Sequence, residues 1–209
     1  GEVKYDCLLA VSGGKDSTYL LKFLMDNSEM RILPMSIDNG LESHIAMNNL
    51  QELAHKLGID ILIEKGYTNI FKKVYRHLLT SNKDRNSVDI ICRVCTVMWQ
   101  SVLMRRAQEE KIPLIILGYS PDQIEYYFYE VEEERKRENW FPSRFIPEAL
   151  LNREERKIFW DGTKEFSSDT PDVILPYHVF PDYSPKEIRD FLKKEDLIPM
   201  NRSSQIVTN

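Results

Sequence analysis

The chain has 209 residues, 42% of them hydrophobic, and 28 Lys and Arg against 33 Asp and Glu give a formal net charge of −5. Such a length buries one sizeable core rather than two ordinary ones, and no apolar run approaches the roughly 20 residues that span a bilayer. The acidic balance offers no general attraction to a phosphate backbone, so a nucleic-acid partner would need a local basic patch or a separate module.

The first residues, Gly-Glu-Val-Lys-Tyr-Asp, carry no apolar signal segment, and the expectation is a soluble, cytoplasmic protein without a membrane partner. Residues 4–11 form an aliphatic run, Tyr5-Asp6-Cys7-Leu8-Leu9-Ala10-Val11, too apolar on both faces for a surface strand, and predict a buried parallel strand. Ser12-Gly13-Gly14 breaks it. Residues 17–26 then place Tyr19, Leu20, Phe23 and Leu24 at helical spacing. The alternation continues with a strand over 31–37, a helix over 43–57, a strand over 60–64 and a helix over 70–79. A polar loop over 81–87 precedes a helix from about 95 to 110 and the strong strand signal Pro113-Leu114-Ile115-Ile116-Leu117-Gly118. The end of that strand should lie beside the first loop. The pattern predicts an α/β fold, a doubly wound and mainly parallel sheet with helices on both faces.

From residue 124 the alternation stops. Tyr126-Tyr127-Phe128-Tyr129, the charge run over 130–137 and an aromatic, Pro-broken stretch through Trp160 read as a helical insertion or lid over 124–170, following a nucleotide-binding core over 1–123. The charge run is the usual mark of a solvated helix face, and the aromatics suit a core as well as a substrate wall. Residues 171–209 complete the core with a strand at Asp172-Val173-Ile174-Leu175-Pro176 and a helix to about 194, opened by the capping box Ser184-Pro185-Lys186-Glu187.

The loop between first strand and first helix carries the clearest chemistry. Gly13 and Gly14 let the backbone turn with positive φ and approach an anion, Lys15 adds a cation, and the helix N-terminus adds its partial positive charge. A phosphate is the natural guest. The spacing is not that of G-x-x-x-x-G-K-[ST], because Leu9 stands where its first glycine belongs and Asp16 where its Ser or Thr belongs. A carboxylate there suits Mg²⁺ bridging phosphate oxygens, and Ser12 and Ser17 supply hydroxyl donors.

Ser12 to Ser17 reads S-G-G-K-D-S, which resembles the signature of the PP-loop ATP pyrophosphatase superfamily, with its adenine nucleotide α-hydrolase-like fold. The likeness covers the alternating core, about residues 4–123. It implies that Ser12, Gly13, Gly14, Lys15, Asp16 and Ser17 grip the pyrophosphate of ATP, that Asp38 lies near the adenosine, and that Gly118 lies near the α-phosphate. It further implies cleavage between α- and β-phosphates with Mg²⁺, leaving an adenylated carbonyl or amide whose AMP a nitrogen or sulfur nucleophile displaces. Asp38 and Gly118 both follow predicted strands at their carboxyl ends, where open α/β sheets bind ligands.

Two branches of the superfamily differ over the nucleophile. The stretch from Tyr5 through Tyr19, with Lys111 to Ile116 and Gly118 to Gln123, is similar to N-acetyl sugar amidotransferases, implying ammonia from a glutaminase partner and a sugar-type substrate. Cys92-Arg93-Val94-Cys95 resembles instead the C-x-x-C of tRNA 2-thiocytidine synthetase-type thiolases, implying a sulfur donor and, with a third cysteine, an iron–sulfur cluster. Placed directly before a helix, the pair should have a lowered pKa. Cys7, early in the first strand and about 16 Å from the loop at strand rise, is expected to be a core residue. A cluster then needs a ligand from beyond Asn209 or from another subunit of a homo-oligomer, which leaves Zn²⁺, a persulfide pair or two unremarkable thiols as alternatives.

Asp122, four residues after Gly118, stands at the mouth of the expected site as a residue to position a nucleophile or metal, and a helix N-cap explains it as well. His44, His55 and His77 fall on predicted helices, and His178 follows the last strand. The sequence thus points to adenylation at the loop, with Lys15, Asp122, Cys92 and Cys95 as candidate catalytic residues. Sulfur transfer stands ahead of amidotransfer, a small molecule ahead of tRNA on net charge, and a non-catalytic nucleotide-binding module remains the alternative from another class.

Overall fold

A computed structural model of the chain describes residues 3–81, 87–125, 142, 145–159, 170–179 and 182–197. Five strands, β1 (Cys7–Ala10), β2 (Ile32–Ile37), β3 (Leu62–Glu64), β4 (Leu114–Ile116) and β5 (Asp172–Ile174), form one sheet in the order β3-β2-β1-β4-β5. Every pairing is parallel. The helices of the core are α1 (Lys15–Asn27), α2 (His44–Leu57), α3 (Thr68–Ser81) and α4 (Ser87–Glu109). Shorter helices α5 (Pro121–Ile124), α6 (Arg153–Arg156) and α7 (Pro176–Val179) follow, and α8 (Pro185–Lys194) comes last.

The apolar run of the first strand dictates its central place. Cys7, Leu8 and Leu9 are fully buried, with β2 on one side and β4 on the other. Burying an aliphatic side chain of that size stabilises by roughly 1.5–3 kcal/mol, so residues apolar on both faces drive β1 to the middle of the sheet. From β1 the chain moves outward through β2 and β3, then returns past α4 to β4 and β5 on the other side. Strand order therefore reverses between β1 and β4, the place at which open sheets of this kind bind ligands.

Local signals set the ends of the helices. Ser43 caps α2 by accepting from the amide of Ala46, and Gly58 ends that helix at φ 63. Ser184 accepts from the amide of Glu187 at 3.3 Å to open α8, which buries Ile188 and Leu192 and packs on α1 with Phe191 edge-on to Tyr19. Within 145–159, Ile146, Leu151, Ile158 and Phe159 are buried in the core, and Lys73 of α3 pairs with Glu155 of α6. The aromatic run at 126–129 and the charge run at 130–137 lie outside the described residues.

One boundary departs from the expectation. The helix predicted from about residue 95 begins at Ser87, two turns earlier, and takes Cys92 and Cys95 into its body. Val94, Thr96, Met98, Gln100, Ser101, Val102 and Leu103 are all buried, so α4 is covered around most of its girth and shows no one-sided periodicity to mark its start.

Candidate active site

The S-G-G-K-D-S segment leaves β1 at its carboxyl end and enters α1, at the reversal of strand order. Gly13 has φ 73, and a Cβ there would stand 2.7 Å from the carbonyl oxygen of Ala46. Glycine is thus required twice over, by conformation and by the close approach of α2. Gly14 differs from expectation. It is extended, at φ −86, because it is the N-cap of α1, and its freedom serves space rather than handedness. As a glycine it brings no side-chain acceptor, so the amides of the first turn, which have no partner within the helix, are left for another acceptor.

The two serines hold the loop itself. Ser17, buried, accepts from the amide of Ser12 at 3.2 Å, while the Ser12 hydroxyl accepts from the amide of Gly14 at 3.3 Å and lies 3.3 Å from that of Ser17. Asn49 of α2 braces the turn from outside by donating to the carbonyl of Gly13 at 3.2 Å. Gly118, just past β4, closes the cradle from the other side: its ideal Cβ would lie 3.3 Å from Cα of Ser17. The later strand does end against the first loop.

Lys15 and Asp16 form an ion pair. Tyr183 joins them, its hydroxyl accepting from Lys15 Nζ at 3.0 Å and donating to Asp16 Oδ1 at 2.8 Å. Tyr177 of α7 donates to the main-chain oxygen of Asp16 at 2.8 Å, and the two tyrosine rings meet edge-on at 5.0 Å. Burial first, then the charge of Asp16, raises the pKa of both phenols, which stay protonated donors. Asp122, exposed in the first turn of α5, adds to the rise at Tyr183. The N-cap of α5 is Ser120 and not Asp122, so capping does not account for this carboxylate.

Asp38 follows β2, accepting from the amide of Gly40 at 2.8 Å. Glu42, in the same turn, has its pKa raised by burial and then by the charge of Asp38. Across from this turn the hydroxyl of Tyr75 donates to Cys95 Sγ at 2.8 Å. The expected lowering of the thiol pKa is overturned at Cys95. Burial pushes it up to about 11, with Glu42 and Cys92 adding to the rise and the Tyr75 hydrogen bond opposing it. Because α4 starts at Ser87, both cysteines sit beyond the first turn, where the helix N-terminus would have helped a thiolate. Cys95 leans on the core, Cys92 keeps intermediate exposure, and Cys7 is buried in β1 as expected. His44 opens α2, His55 lies in its last turn, His77 contacts Ser81 on α3, and His178 lies on α7.

Comparison with known proteins accords with this arrangement. The whole chain superposes on 63% of the U34-tRNA thiolase NcsA from Methanococcus maripaludis, a structure holding a 4Fe-4S cluster, with a TM-score of 0.59 at 14% identity. The two share an α/β fold built on a parallel sheet. In sequence, 131 residues, or 58% of the chain, are 32% identical to the tRNA-cytidine(32) 2-sulfurtransferase of Albidiferax ferrireducens, covering 35% of that protein. Another 34% identity over 70 residues, a third of the chain, links it to an uncharacterized protein of Methanocaldococcus jannaschii, of which it covers 25%. The chain thus spans about a third or less of the curated relatives it matches. No family model matches.

Sequence reasoning anticipated that the strand before Gly118 ends against the first loop. It missed Tyr177, Tyr183, Asn49, Glu42 and Tyr75. The tyrosines reach Asp16 from more than 160 residues away, and no local pattern reports such a contact. For Tyr183 the one available signal was its place immediately before the Ser184 capping box.

Proposed function

We propose that the chain is the ATP-binding and activating part of a sulfurtransferase that adenylates a carbonyl oxygen and replaces it with sulfur. The observation that supports this best is the PP-loop cradle at the carboxyl end of the sheet, with Cys95 feeling the charge of Glu42 in the turn after β2. The sulfurtransferase and the thiolase named above both act on tRNA, which makes a tRNA base the proposed substrate. With a net charge of −5, contact with RNA then depends on a local patch or a separate module.

In this reading the uncapped amides of α1 and Lys15 take the β- and γ-phosphates. Asp16 suits Mg²⁺, which takes one or two carboxylates and keeps waters and phosphate oxygens as its other ligands, and when bound it would neutralise phosphate charge. Asp38 flanks the adenosine, and Gly118 leaves room for the α-phosphate beside Ser17. The substrate oxygen attacks the α-phosphorus and pyrophosphate leaves. A sulfur nucleophile then forms a bond to the activated carbon as the bond to the AMP oxygen breaks. Cys92 presents that sulfur as the outer atom of a persulfide, handed over by a persulfide-bearing donor, and a thiol reductant then cleaves the remaining S–S bond to free the thiocarbonyl and the Cys92 thiol. Asp122, at the rim, orients the acceptor.

An iron–sulfur cluster or structural zinc is ordinarily held by three or four ligands. Among the described residues no group of three or more His, Cys, Asp or Glu stands together as a metal site. Two thiols one helical turn apart do not complete one, and no step is assigned to such a group.

The test supplies ATP, Mg²⁺, a persulfide sulfur donor, a thiol reductant and unmodified total tRNA, and reads AMP, pyrophosphate and thionucleosides. Lys15→Met should abolish all three. Cys92→Ser should retain pyrophosphate release, with AMP left on the tRNA, but lose free AMP and the thionucleoside; full sulfur incorporation in this variant removes Cys92 from the chemistry. AMP formation that requires ammonia instead of the sulfur donor would move the reading to amidotransfer.

A further inference from the structure

We infer that Tyr183 is a positioning residue that sets which oxygen of Asp16 meets a divalent cation. The inference rests on the ATP·Mg²⁺ reading of the loop and deepens it. Asp16 has two carboxylate oxygens, and the structure gives them different partners: Oδ1 accepts from the Tyr183 hydroxyl at 2.8 Å, while Oδ2 is held by the ammonium of Lys15. That ammonium also donates to the same phenol at 3.0 Å. A phenol has one proton to give, and here it goes to Asp16, so Lys15 must be the donor in its own contact. The directions are consistent around the triangle.

The consequence is a hand-over. A triphosphate draws Lys15 toward its oxygens, and the bond from Tyr183 keeps Oδ1 fixed while Oδ2 is vacated. The carboxylate is then presented through a single oxygen, the mode in which Mg²⁺ with its strict octahedron takes a protein ligand. Without the hydroxyl the carboxylate is free to rotate, both oxygens can follow Lys15, and the pair competes with the cation. Tyr177 does not share this task, because its hydroxyl donates to the main-chain oxygen of Asp16. Its ring supports Tyr183 edge-on, and this support survives loss of either hydroxyl. The arrangement also ties the nucleotide loop to the segment between α7 and α8.

Equilibrium binding of ATP over a Mg²⁺ titration tests this on the intact chain without any acceptor substrate. Tyr183→Phe keeps the ring, and it should raise the Mg²⁺ concentration needed for half-maximal ATP binding about tenfold, the scale of one hydrogen bond to a charged group. ATP binding without metal should change little. Tyr177→Phe should leave the Mg²⁺ requirement in place. In a cycle with Asp16→Asn, the effect of Tyr183→Phe on the Mg²⁺ requirement should vanish, which a merely structural tyrosine would not show. An unchanged Mg²⁺ requirement in Tyr183→Phe, or equal losses with and without metal, overturns the inference. Failure of the unaltered chain to bind ATP at any Mg²⁺ concentration would instead strike the proposed function.

Discussion

Adding one methyl group at Gly118 tests the geometry of the cradle. The residue is not among those with positive φ, so alanine there carries no conformational strain and its effect is steric. Its Cβ would stand 3.3 Å from Ser17 Cα, 3.4 Å from Ser17 N and 3.6 Å from the carbonyl carbon of Asp16. All three are backbone atoms that cannot swing aside, so either the end of β4 or the first turn of α1 must shift by a few tenths of an ångström. Overpacking of this kind costs about 1–3 kcal/mol, and the lower end is expected because the overlap is small. For a chain of this size about 1 kcal/mol lowers Tm by roughly 2–4 °C. The larger consequence is functional. Displacing Ser17 turns the first-turn amides from their target, and losing one hydrogen bond to a charged phosphate weakens ATP about tenfold. Gly58→Ala is the matched control, since it has φ 63 with nothing within 4 Å of its Cβ. It should cost about 1 kcal/mol through backbone strain alone and leave ATP affinity unchanged. Calorimetric binding and thermal melts on both variants read the two effects separately. Gly118→Ala with normal ATP affinity would refute the closing of β4 onto the loop.

The raised thiols give a second prediction. Cys95, pushed up from an ordinary 9.0 to about 11, should resist alkylation at pH 7.5, and rapid labelling there by mass spectrometry would contradict its buried contact with Tyr75. Its linkage has a definite sign: above pH 9 the unfolded chain releases a proton that the folded chain keeps. Stability should therefore fall as pH rises from about 9 to about 11, with Cys7 acting in the same direction, and a flat denaturation midpoint over that window would count against both. Asn49→Asp puts a carboxylate oxygen in place of the amide that donates to the Gly13 carbonyl at 3.2 Å. Two acceptors then face each other, and ATP affinity should drop severalfold; wild-type affinity would show the brace to be dispensable.

The parts of the fold legible in the sequence were those driven by local patterning. The apolar run of β1, the glycine break after it, the Ser184 cap and the strand before Gly118 are each set by residues within a few positions of one another. The loop was legible because its motif occupies six consecutive positions. The start of α4 was not, because a helix buried around most of its surface loses the one-sided pattern that marks it. That single shift changed the meaning of Cys92 and Cys95, from thiols at a helix N-terminus to thiols on the body of a buried helix. The two tyrosines on Asp16 were beyond any local reading, since the return of the chain after β5 brings them there.

In the proposed reaction this loop directs cleavage of ATP between its α- and β-phosphates. The decisive measurement is chromatography of the nucleotide products after incubation of the chain with ATP labelled at the α-phosphate, Mg²⁺, the persulfide donor with thiol reductant and unmodified tRNA. Labelled AMP with an equal amount of pyrophosphate is expected, both lost in Lys15→Met. Labelled ADP with orthophosphate would contradict it.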